Sequence, residues 1–393
     1  MEILKQKIKD LSKNIYEEVV GHRRHLHENP ELSYHEVETG KYIAAQLEAL
    51  GIEHEHGVAE NGVVALIKGK NPDSRCIALR ADLDALPILE TNTHDFTSKN
   101  KGVMHACGHD YHTATLLGAG VILEKIKTEF EGTIKLIFQP SEEKMPGGAS
   151  VMIAEGVLQN PKADAIIGQH VTPEVPTGKV GLRSGKFMAS ADEIYLSIKG
   201  KGGHAAVPQK LNDPVISAAY ILTNLQQVIS RKRDPFTPAV LSFGVLEAKG
   251  ATNIIPNEVK IEGTLRAMDE NWRKEAHQWI TQIAKQTAES NGCTCNVNIV
   301  VGYPCLKNDE KLSTTANVLA KEVLGNEQVF EIDKRMGAED FAYYSQEIPA
   351  CFFRVGTGSD KTNQNGLHTS NFDVDEKAIK TSLKLFSWLA CRI

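Results

Sequence analysis

The stretches CIALRADL (76–83), TATLLGAGVILEKI (113–126) and GTIKLIFQ (132–139) decide the fold, because they read as a strand, a helix and a strand. Both strand patterns are apolar along nearly their whole length, which is typical of a parallel sheet that is buried on both faces. The order continues with a helix predicted for GASVMIAEGVL (148–158) and a strand for ADAIIGQHV (163–171). The sequence therefore predicts an α/β domain with a mainly parallel sheet flanked by helices.

The N-terminal part adds helices and one further strand to this domain. Apolar residues spaced by three and four between positions 4 and 19 indicate an amphipathic helix, which we expect to end near Pro30. A second helix is predicted over 35–50, and GVVALIKG (62–69) is predicted to be a strand. The same domain therefore begins at the start of the chain.

The order of elements changes after Gly185. Strands are predicted over 192–200, 238–248, 257–267 and 295–303, and helices over 215–230 and 272–290. The resulting β-α-β-β-α-β order is typical of a ferredoxin-like α+β domain. The apolar α/β pattern resumes near residue 308 and ends in a helix over 374–391. We therefore predict a discontinuous α/β domain (1–185 and 304–393) into which a ferredoxin-like domain (186–303) is inserted.

Composition narrows the class of protein. The 393 residues are 41% hydrophobic and 24% charged, with a net charge of -6, which is ordinary for a globular protein and argues against a nucleic-acid partner. The N-terminus lacks an uninterrupted apolar core, and no apolar run reaches the ~18 residues of a membrane span, so we expect a cytoplasmic protein without a membrane partner. The seven scattered cysteines do not suggest a disulfide framework, and the Cys293-Thr-Cys295 pair lacks the partner pair of a zinc site.

Candidate metal ligands follow three of the predicted strands. Asp82 ends CIALRAD, the pair Glu142-Glu143 follows TIKLIFQ, and His170 ends AIIGQH. Each has an ordinary structural explanation: a turn-forming aspartate, a solvated glutamate pair and a hydrogen-bonded core histidine. Ligands of open α/β sheets sit beyond the carboxyl ends of the strands, so the coincidence of all of them at that edge favours a metal site.

The glutamate pair suits metal-assisted hydrolysis. Neighbouring side chains of an extended chain point to opposite sides, so at a loop corner one carboxylate can bind a metal while the other faces the attacked substrate. Metal-assisted hydrolysis needs this division, because one group activates water and another takes its proton. The pair therefore predicts one ligand and one general base.

The stretch GVMHACGHDYHTA (102–114) supplies further ligands. In an extended backbone the side chains of Cys107 and His109 would share one face about 7 Å apart, which suits two metals about 3.5–4 Å apart. A thiolate favours zinc, whereas carboxylates and imidazoles also admit manganese or cobalt. We expect His105 and His112 to support or pack against the ligands rather than bind.

Other candidates lie far away in the sequence. His204 lies in the Gly-rich loop GKGGHAAVP (200–208), where it is either an exposed loop residue or a hydrogen-bond donor to an oxyanion. His368 lies in a loop after the strand pattern CFFRVGT. Glu339 and Asp340 are either supports for the metal ligands or an acidic pair at a helix N-terminus.

Taken together, these stretches resemble the aminoacylase, hippurate hydrolase and auxin-conjugate hydrolase branch of peptidase family M20, a family of metallo-amidohydrolases with two metals. The matching stretches, in order along nearly the whole chain, are HRRHLHENPELSYHE (22–36), LRADLDALP (79–87), GVMHACGHDYHTA (102–114), FQPSEE (138–143), GKGGHAAVP (200–208), TNIIPNEV (252–259), RMGAEDFAYY (335–344) and LHTSNF (367–372). As a set they are highly specific, although any one of them alone is weak.

The resemblance implies two divalent metal ions (zinc, manganese, cobalt or nickel) and assigns roles to particular residues. The implied metal ligands are Cys107, His109, Glu143, His170 and His368. Glu142 would be the general base, and Asp82 would support the ligands.

The resemblance also implies that the inserted domain is a lid and a dimerisation domain, so that the protein forms a homodimer or a higher homo-oligomer. His204 would then reach the active site of the partner subunit as oxyanion donor. Asn253 and Arg266 would hold the substrate carboxylate, a task that suits the bidentate fork of arginine.

One departure from the wider family concerns the first strand end. Dipeptidase and carboxypeptidase branches carry His-x-Asp there, whereas this chain has Arg80-Ala-Asp82. The expected activity is hydrolysis of an N-acyl amino acid (acetyl, benzoyl or similar) to a carboxylate and a free amino acid. The alternatives are a dedicated deacetylase, for example of N-acetyl-diaminopimelate or N-acetylcysteine, and a metal-binding protein without catalysis.

Overall fold

The computed structural model describes residues 2–359 and 365–393, which form two compact units. The first unit contains the chain up to Gly185 together with Lys307–Asp333 and Asp340–Ile393. The second unit contains Lys186–Leu306 and Lys334–Glu339.

The helices are α1 (Glu2–Asn14), α2 (Tyr16–Glu28), α3 (Val37–Ala49), α4 (His109–Lys125), α5 (Gly148–Ala154), α6 (Pro214–Arg231), α7 (Glu270–Ser290), α8 (Glu310–Leu324), α9 (Ala342–Glu347) and α10 (Ile379–Arg392). The strands are β1 (Glu53–Val58), β2 (Gly62–Lys68), β3 (Cys76–Asp82), β4 (Thr133–Gln139), β5 (Ala165–Pro176), β6 (Val180–Leu182), β7 (Gly185–Met188), β8 (Asp192–Lys199), β9 (Gly203–His204), β10 (Ala239–Glu247), β11 (Ile254–Ile255), β12 (Glu258–Ala267), β13 (Thr294–Val301), β14 (Leu306–Asn308), β15 (Val329–Glu331) and β16 (Ala350–Gly358).

The first unit is built on an eight-stranded sheet in the order β1-β2-β4-β3-β5-β16-β6-β15. Its central strands β4, β3, β5 and β16 are mutually parallel, whereas β1, β2 and β4 pair antiparallel at one edge and β16 pairs antiparallel with β6. All residues of β3 and β4 are buried, as the apolar patterns predicted for strands covered on both faces. The predicted mainly parallel sheet flanked by helices is confirmed.

Helix α4 is the central helix of the first unit. It packs on β3, β4 and β5 and is itself covered by α2 and α10. Gly118 permits this close packing, because a Cβ there would lie 2.6 Å from side-chain atoms of both Val19 in α2 and Leu383 in α10. The packing fixes α4 against the carboxyl ends of the central strands.

Two details of the N-terminal part differ from the predictions. The predicted first helix is interrupted at Ile15, where ψ is 2°, and continues as α2 up to Glu28. Ile15 is buried, so the apolar stripe continues across the interruption. Strand β1 was not predicted, because its sequence EHEHGV is polar and lies on the exposed edge of the sheet.

The second unit contains a four-stranded sheet in the order β10-β12-β8-β13, in which all neighbours are antiparallel. Helices α6 and α7 pack against each other and over a core that includes Ile198, Ile221 and Ile280. Asp213 and Asp269 cap these helices by accepting hydrogen bonds from backbone N–H groups of their first turns. The strand order is that of a ferredoxin-like domain, which confirms this prediction.

Among residues 2–359 and 365–393, no helix combines the length and the apolarity that crossing a membrane would require.

Candidate metal centre

Side chains from five segments of the first unit converge at the carboxyl ends of its central strands. Asp82 is the last residue of β3, the glutamate pair follows β4, and His109 begins α4. Groups that could share a metal ion, with ligand atoms within 4.8 Å of one another, include Cys107-His109-His170, Cys107-Glu143-His368 and His109-Glu142-Glu143. Residues that are up to 261 positions apart in the sequence are thereby brought into one cluster.

The distances within the cluster are those of ligands around a shared ion. Cys107 Sγ lies 3.3 Å from His170 Nε2 and 3.4 Å from His368 Nε2. His368 Nε2 lies 3.3 Å from Glu143 Oε1. For a metal–ligand distance of about 2.0–2.3 Å, ligand atoms of one tetrahedral site are expected at such separations.

The expectation of an extended Cys107-Gly108-His109 segment is wrong. Gly108 precedes α4 with φ of +87°, a conformation that glycine adopts without strain, and His109 is already the first residue of the helix. The chain turns at this glycine and thereby points the thiol and the imidazole into the same cluster. Helix α4 begins four residues earlier than predicted, so His112 lies one helical turn after His109.

Strand β5 is longer than predicted. It continues to Pro176 because its parallel pairing with β16 extends past His170. His170 therefore lies within the strand rather than at its end, and its Nδ1 donates a hydrogen bond to the carbonyl of Val171 at 2.7 Å. Its Nε2 faces Cys107, and burial holds the pKa of this imidazole well below its ordinary value. The ring is thus a neutral base pointing into the cluster.

Asp84 orients His109, a role that was not predicted. His109 Nδ1 donates to the carbonyl of Asp84 at 2.8 Å and lies 3.2 Å from its carboxylate. The same carboxylate accepts hydrogen bonds from Ser33 Oγ at 2.6 Å and from the N–H of Glu143 at 2.8 Å. Although burial opposes it, bonding to His109 holds the pKa of Asp84 below its ordinary value. Asp84 could have been predicted from the sequence, because it lies only two residues after Asp82 at the end of β3.

Both ring nitrogens of His112 are already engaged. Nδ1 donates to Asp82 Oδ1 at 2.6 Å, and Nε2 accepts from the N–H of Val171 at 3.0 Å. Asp82 Oδ2 lies 3.8 Å from His109 Nε2. Against the cost of burial, the nearby charges of His109 and Arg80 keep the pKa of Asp82 well below its ordinary value. His112 and Asp82 therefore hold each other next to His109 through hydrogen bonds, which agrees with the supporting role predicted for each.

The glutamate pair lies at a strained corner. Ser141, which precedes it, has φ of +59°, an unusual conformation for a residue with a side chain. Buried Glu36 holds this residue in place, because its Oε1 accepts from Ser141 N at 2.7 Å and from Ser141 Oγ at 3.0 Å. Glu142 is only 7% exposed, and its Oε1 lies 3.4 Å from the donating N–H of Asp340.

The side chain of Asp340 resolves one of the predicted alternatives. It accepts hydrogen bonds from Arg80 at 2.7 Å, Gln139 at 2.7 Å and the N–H of Ala149 at 3.0 Å. Helix α9 begins at Ala342, and no side-chain cap of its N-terminus is formed within the described parts of the chain. The carboxylate of Asp340 is therefore a buried support beside the cluster: it bonds the first turn of α5 and does not cap α9, the helix that follows it.

The donor set fits divalent metal ions. Among the described residues, the buried Nε2 of His109 has no hydrogen-bond partner, although it faces the cluster. Burial raises the pKa of the Cys107 thiol, while hydrogen bonds to Cys107 and Glu143 raise that of His368 to about 10. A metal ion would instead hold a thiolate and a neutral imidazole, and it would satisfy the unpaired nitrogen.

A second group with metal-ligand chemistry is centred on His27, whose two ring nitrogens are both paired without a metal. His27 Nδ1 lies 2.8 Å from Asp110 and its Nε2 lies 3.0 Å from Glu90. Although burial opposes it, these two carboxylates raise the pKa of His27 to about 9. His27 is therefore an imidazolium that joins two carboxylates. His94 completes the group, with its Nε2 3.4 Å from Glu90.

His105 lies outside the ligand cluster. Burial lowers its pKa to about 4, and neither ring nitrogen has a hydrogen-bond partner within the described residues. Its ring centroid lies 6.5 Å from that of His27. It is a neutral, buried packing residue.

The remaining predicted site residues belong to the second unit. His204 is exposed in β9, which pairs with β11 so that His204 lies opposite Ile254. The carbonyl of Asn253 accepts a hydrogen bond from Ala205 N at 3.0 Å, so His204 and Asn253 are neighbours. Arg266 lies in β12 opposite Val240, and burial lowers the pKa of its guanidinium.

Comparisons with known proteins agree with this geometry. The sequence profile of peptidase family M20/M25/M40 matches residues 78–391. An N-acyl-L-amino acid amidohydrolase of Geobacillus stearothermophilus is 41% identical over 307 residues, covering 78% of this chain and 82% of that protein. The N-acetyl-L-cysteine deacetylase of Bacillus subtilis is 39% identical over 362 residues, covering 92% and 85% respectively.

A solved structure is similar over nearly the whole chain. It is a Bacillus subtilis protein described as a dinuclear metal binding peptidase from the M20 family, with a TM-score of 0.84 and 35% identity. The similarity covers 96% of this chain and 98% of that one. The family suggested by the sequence motifs is thereby confirmed, and the chain belongs to peptidase family M20/M25/M40.

Proposed function

We propose that this M20-family hydrolase cleaves the amide bond of N-acyl amino acids with the help of two divalent metal ions, releasing a carboxylate and a free amino acid. The observation that carries the proposal is the convergence of Cys107, His109, Glu143 and His170 together with a further buried carboxylate, Glu142. The relatives named for N-acyl amino acids support the same substrate class.

The proposed ligands are Cys107, His109, Glu143, His170 and His368. When bound, a pair of divalent ions would polarise the scissile carbonyl and make water more acidic. The bonds from His109 to Asp84 and from His170 to Val171 fix both rings with Nε2 towards the cluster. Hydrogen bonds to the ring nitrogen that does not face the metal normally raise the metal affinity of such sites.

Glu142 is the proposed general base. It adjoins the ligand Glu143 but is held by the N–H of Asp340, so its carboxylate can serve the substrate side of the cluster. It takes a proton from the attacking water and returns it to the leaving nitrogen when the amide bond breaks. The same proton is thus moved twice, and the base is regenerated.

We assign the second unit the roles of lid and dimerisation domain. His204 donates a hydrogen bond to the oxyanion that forms when water adds to the carbonyl. Asn253 and Arg266 hold the carboxylate of the amino acid. The proximity of His204 and Asn253 in the antiparallel pairing of β9 with β11 supports a shared task for these two.

The neighbouring glutamates provide a matched test. Glu142→Gln is expected to keep the metal content of the native protein but to lower kcat at least about 10²–10⁴-fold, because a positioned base is lost. Glu143→Gln is expected to lose bound metal, because a charged ligand is replaced by a neutral amide. Metal content is measured by elemental analysis and turnover with N-acetyl amino acids. Full turnover by Glu142→Gln would exclude this carboxylate as the base.

A deacetylase restricted to one substrate is the second candidate, since the N-acetyl-L-cysteine deacetylase is 39% identical. Assays with acetyl, benzoyl and longer acyl groups on several amino acids, each with zinc, manganese, cobalt or nickel, separate the two. Cleavage of many acyl groups supports the general amidohydrolase, and cleavage of one acetyl substrate supports the deacetylase. A protein that binds metal but cleaves none of them would be a binding protein without catalysis.

A further inference from the structure

Arg80 is a fully buried arginine in the middle of the parallel sheet. It lies in β3, opposite Ile137 of β4 and Gly168 of β5, and its side chain is 0% exposed. Burying an unpaired guanidinium is strongly unfavourable, so its charge and its donors need partners. Three such partners, Asp82, Gln139 and Asp340, are polar groups next to the metal cluster.

The guanidinium bonds to three different segments. Nη1 donates to Asp82 at 2.6 Å, Nη2 donates to Asp340 at 2.7 Å, and Nε donates to the side chain of Gln139 at 2.9 Å. Gln139 in turn donates from Nε2 to the second carboxylate oxygen of Asp340 at 2.7 Å. The planar fork of arginine fixes the directions of all three bonds at once, which a lysine ammonium cannot do.

Two of these partners lead directly to proposed functional groups. Asp82 accepts from His112 and faces His109, so it lies on the metal side of the cluster. The backbone N–H of Asp340 donates to Glu142, so it lies on the side of the base. One buried cation therefore connects the support of the metal ligands with the support of the general base.

We propose that Arg80 is a positioning residue, which fixes the general base Glu142 relative to the metal ligands by bonding Asp82 and Asp340 at the same time. The catalytic part of this inference rests on the proposed role of Glu142. The three bonds described above join Arg80 to supports of the cluster, namely Asp82, Gln139 and Asp340, and not to the proposed metal ligands. A gain in stability alone explains the arrangement poorly, because buried ion pairs are often no more stabilising than apolar residues of similar size.

The second unit offers a matched control. Arg273 is likewise buried and bonds Asp192 from Nε at 2.9 Å and from Nη2 at 2.5 Å. Replacing it by lysine disturbs a buried arginine–carboxylate pair of the second unit, whereas Glu142 and the proposed metal ligands belong to the first. The comparison of Arg80→Lys with Arg273→Lys therefore separates positioning from the general cost of such a change.

The expected result has three parts. Arg80→Lys lowers kcat about 10²-fold, because a misplaced catalytic group loses about that much, while KM changes less than about 3-fold. The number of bound metal ions per chain stays at the native value. The amide of Asp340, followed by NMR, exchanges with deuterium at least about 10-fold faster, because the segment that carries it is released.

Asp340→Asn tests the bond between Arg80 and Asp340 by changing the acceptor instead of the donor. It replaces Arg80→Lys as the test if that variant does not fold. It retains the side-chain size but removes the charge that holds the guanidinium. Its effects on kcat and on amide exchange should match those of Arg80→Lys, and the double variant should be little worse than either single one. Arg273→Lys should show native kcat and native exchange at Asp340.

Three results would overturn the inference: native kcat with native exchange at Asp340 in either variant, loss of metal in step with kcat, or an equal loss of kcat in Arg273→Lys. The amide exchange requires no substrate. If the native protein cleaved no N-acyl amino acid, the proposed function would fail, and exchange at Asp340 would still decide whether Arg80 holds this segment.

Discussion

Glu36 shows how a single residue outside the metal cluster shapes it. Its carboxylate holds Ser141 in a left-handed conformation immediately before the glutamate pair. Burial, together with the charge of Asp84, raises the pKa of Glu36 from 4.5 to about 7. Glu36 therefore positions the turn before the glutamate pair, and its ionisation is also linked to folding.

This shift predicts how stability depends on pH. The folded protein keeps the proton of Glu36 up to about pH 7, whereas the unfolded chain releases it near pH 4.5. The contribution of Glu36 to the free energy of unfolding therefore decreases as the pH rises from about 4.5 to about 7. Glu36→Gln keeps an oxygen acceptor for Ser141 but does not titrate. Relative to the native protein, the variant should gain up to about 3 kcal/mol between pH 4.5 and pH 8.

Denaturant unfolding of both proteins at several pH values measures this difference. Glu38→Gln is the control, because Glu38 lies two residues away in α3 with its side chain 73% exposed. A difference between Glu36→Gln and the native protein that does not change with pH would show that Glu36 ionises as a solvated carboxyl group does.

At the scale of residues, the sequence predicted the groups that now cluster but not the groups that hold them. His170 could be identified because a histidine is unusual in an apolar strand pattern, and Cys107 and His109 because a thiol and an imidazole two positions apart suit metal ligation. Ser33, Glu36 and Asp84 are ordinary polar residues, and each becomes informative only through a partner that the fold brings near. No periodicity in the sequence encodes those pairings.

Helix α4 is the element that joins fold and site. Its buried length packs on the sheet, and its N-terminus presents His109 and His112 one turn apart. The prediction placed its start at residue 113, because the first turn is polar and apolar periodicity does not detect it. The polar first turn is buried against the cluster. The polar residues that prevented prediction of the helix start are therefore the same residues that build the site.

The turn before α4 predicts an effect of added bulk. A Cβ at Gly108 would lie 2.6 Å from Val171 Cγ2, and Val171 donates its N–H to His112. Gly108→Ala should therefore displace both the turn and its support and lose bound metal, in addition to about 1–2 kcal/mol of backbone strain. Elemental analysis gives the metal content, and the absorption band of a cobalt–thiolate bond reports the environment of Cys107.

Gly102→Ala is the matched control for this change. Gly102 has φ of +85°, close to the +87° of Gly108, but within the described residues no heavy atom lies within 4 Å of its added Cβ. The control should show a similar backbone cost with native metal content. Equal metal loss in both variants would mean that backbone strain, rather than the contact with Val171, disturbs the centre.

At the scale of the whole molecule, the proposed tasks divide between the two units. The proposed metal ligands and the base all belong to the first unit, whereas His204, Asn253 and Arg266 belong to the second. The order of elements predicted both folds, because each has its own periodicity. Whether His204 acts in the site of its own subunit or in that of a partner depends on how subunits assemble. Hydrophobic patterns within one chain do not encode this assembly.

Mixed oligomers test whether His204 acts across a dimer. Subunits carrying Glu142→Gln are mixed with subunits carrying His204→Ala after both have been dissociated and reassembled. If His204 serves the partner's site, each mixed dimer contains one site with a native base and a native histidine. Random pairing makes half of the dimers mixed, so about a quarter of the native activity should return.

The control places both changes in one subunit and mixes it with native subunits. Action across the dimer then leaves neither site of a mixed dimer complete, so activity comes only from native pairs, about a quarter of the total. Action within one subunit predicts the reverse: the first mixture stays inactive, because every site lacks one group, and the control retains half of the native activity. The two mixtures therefore give opposite results for the two arrangements, and size-exclusion chromatography with light scattering confirms that dimers have reassembled.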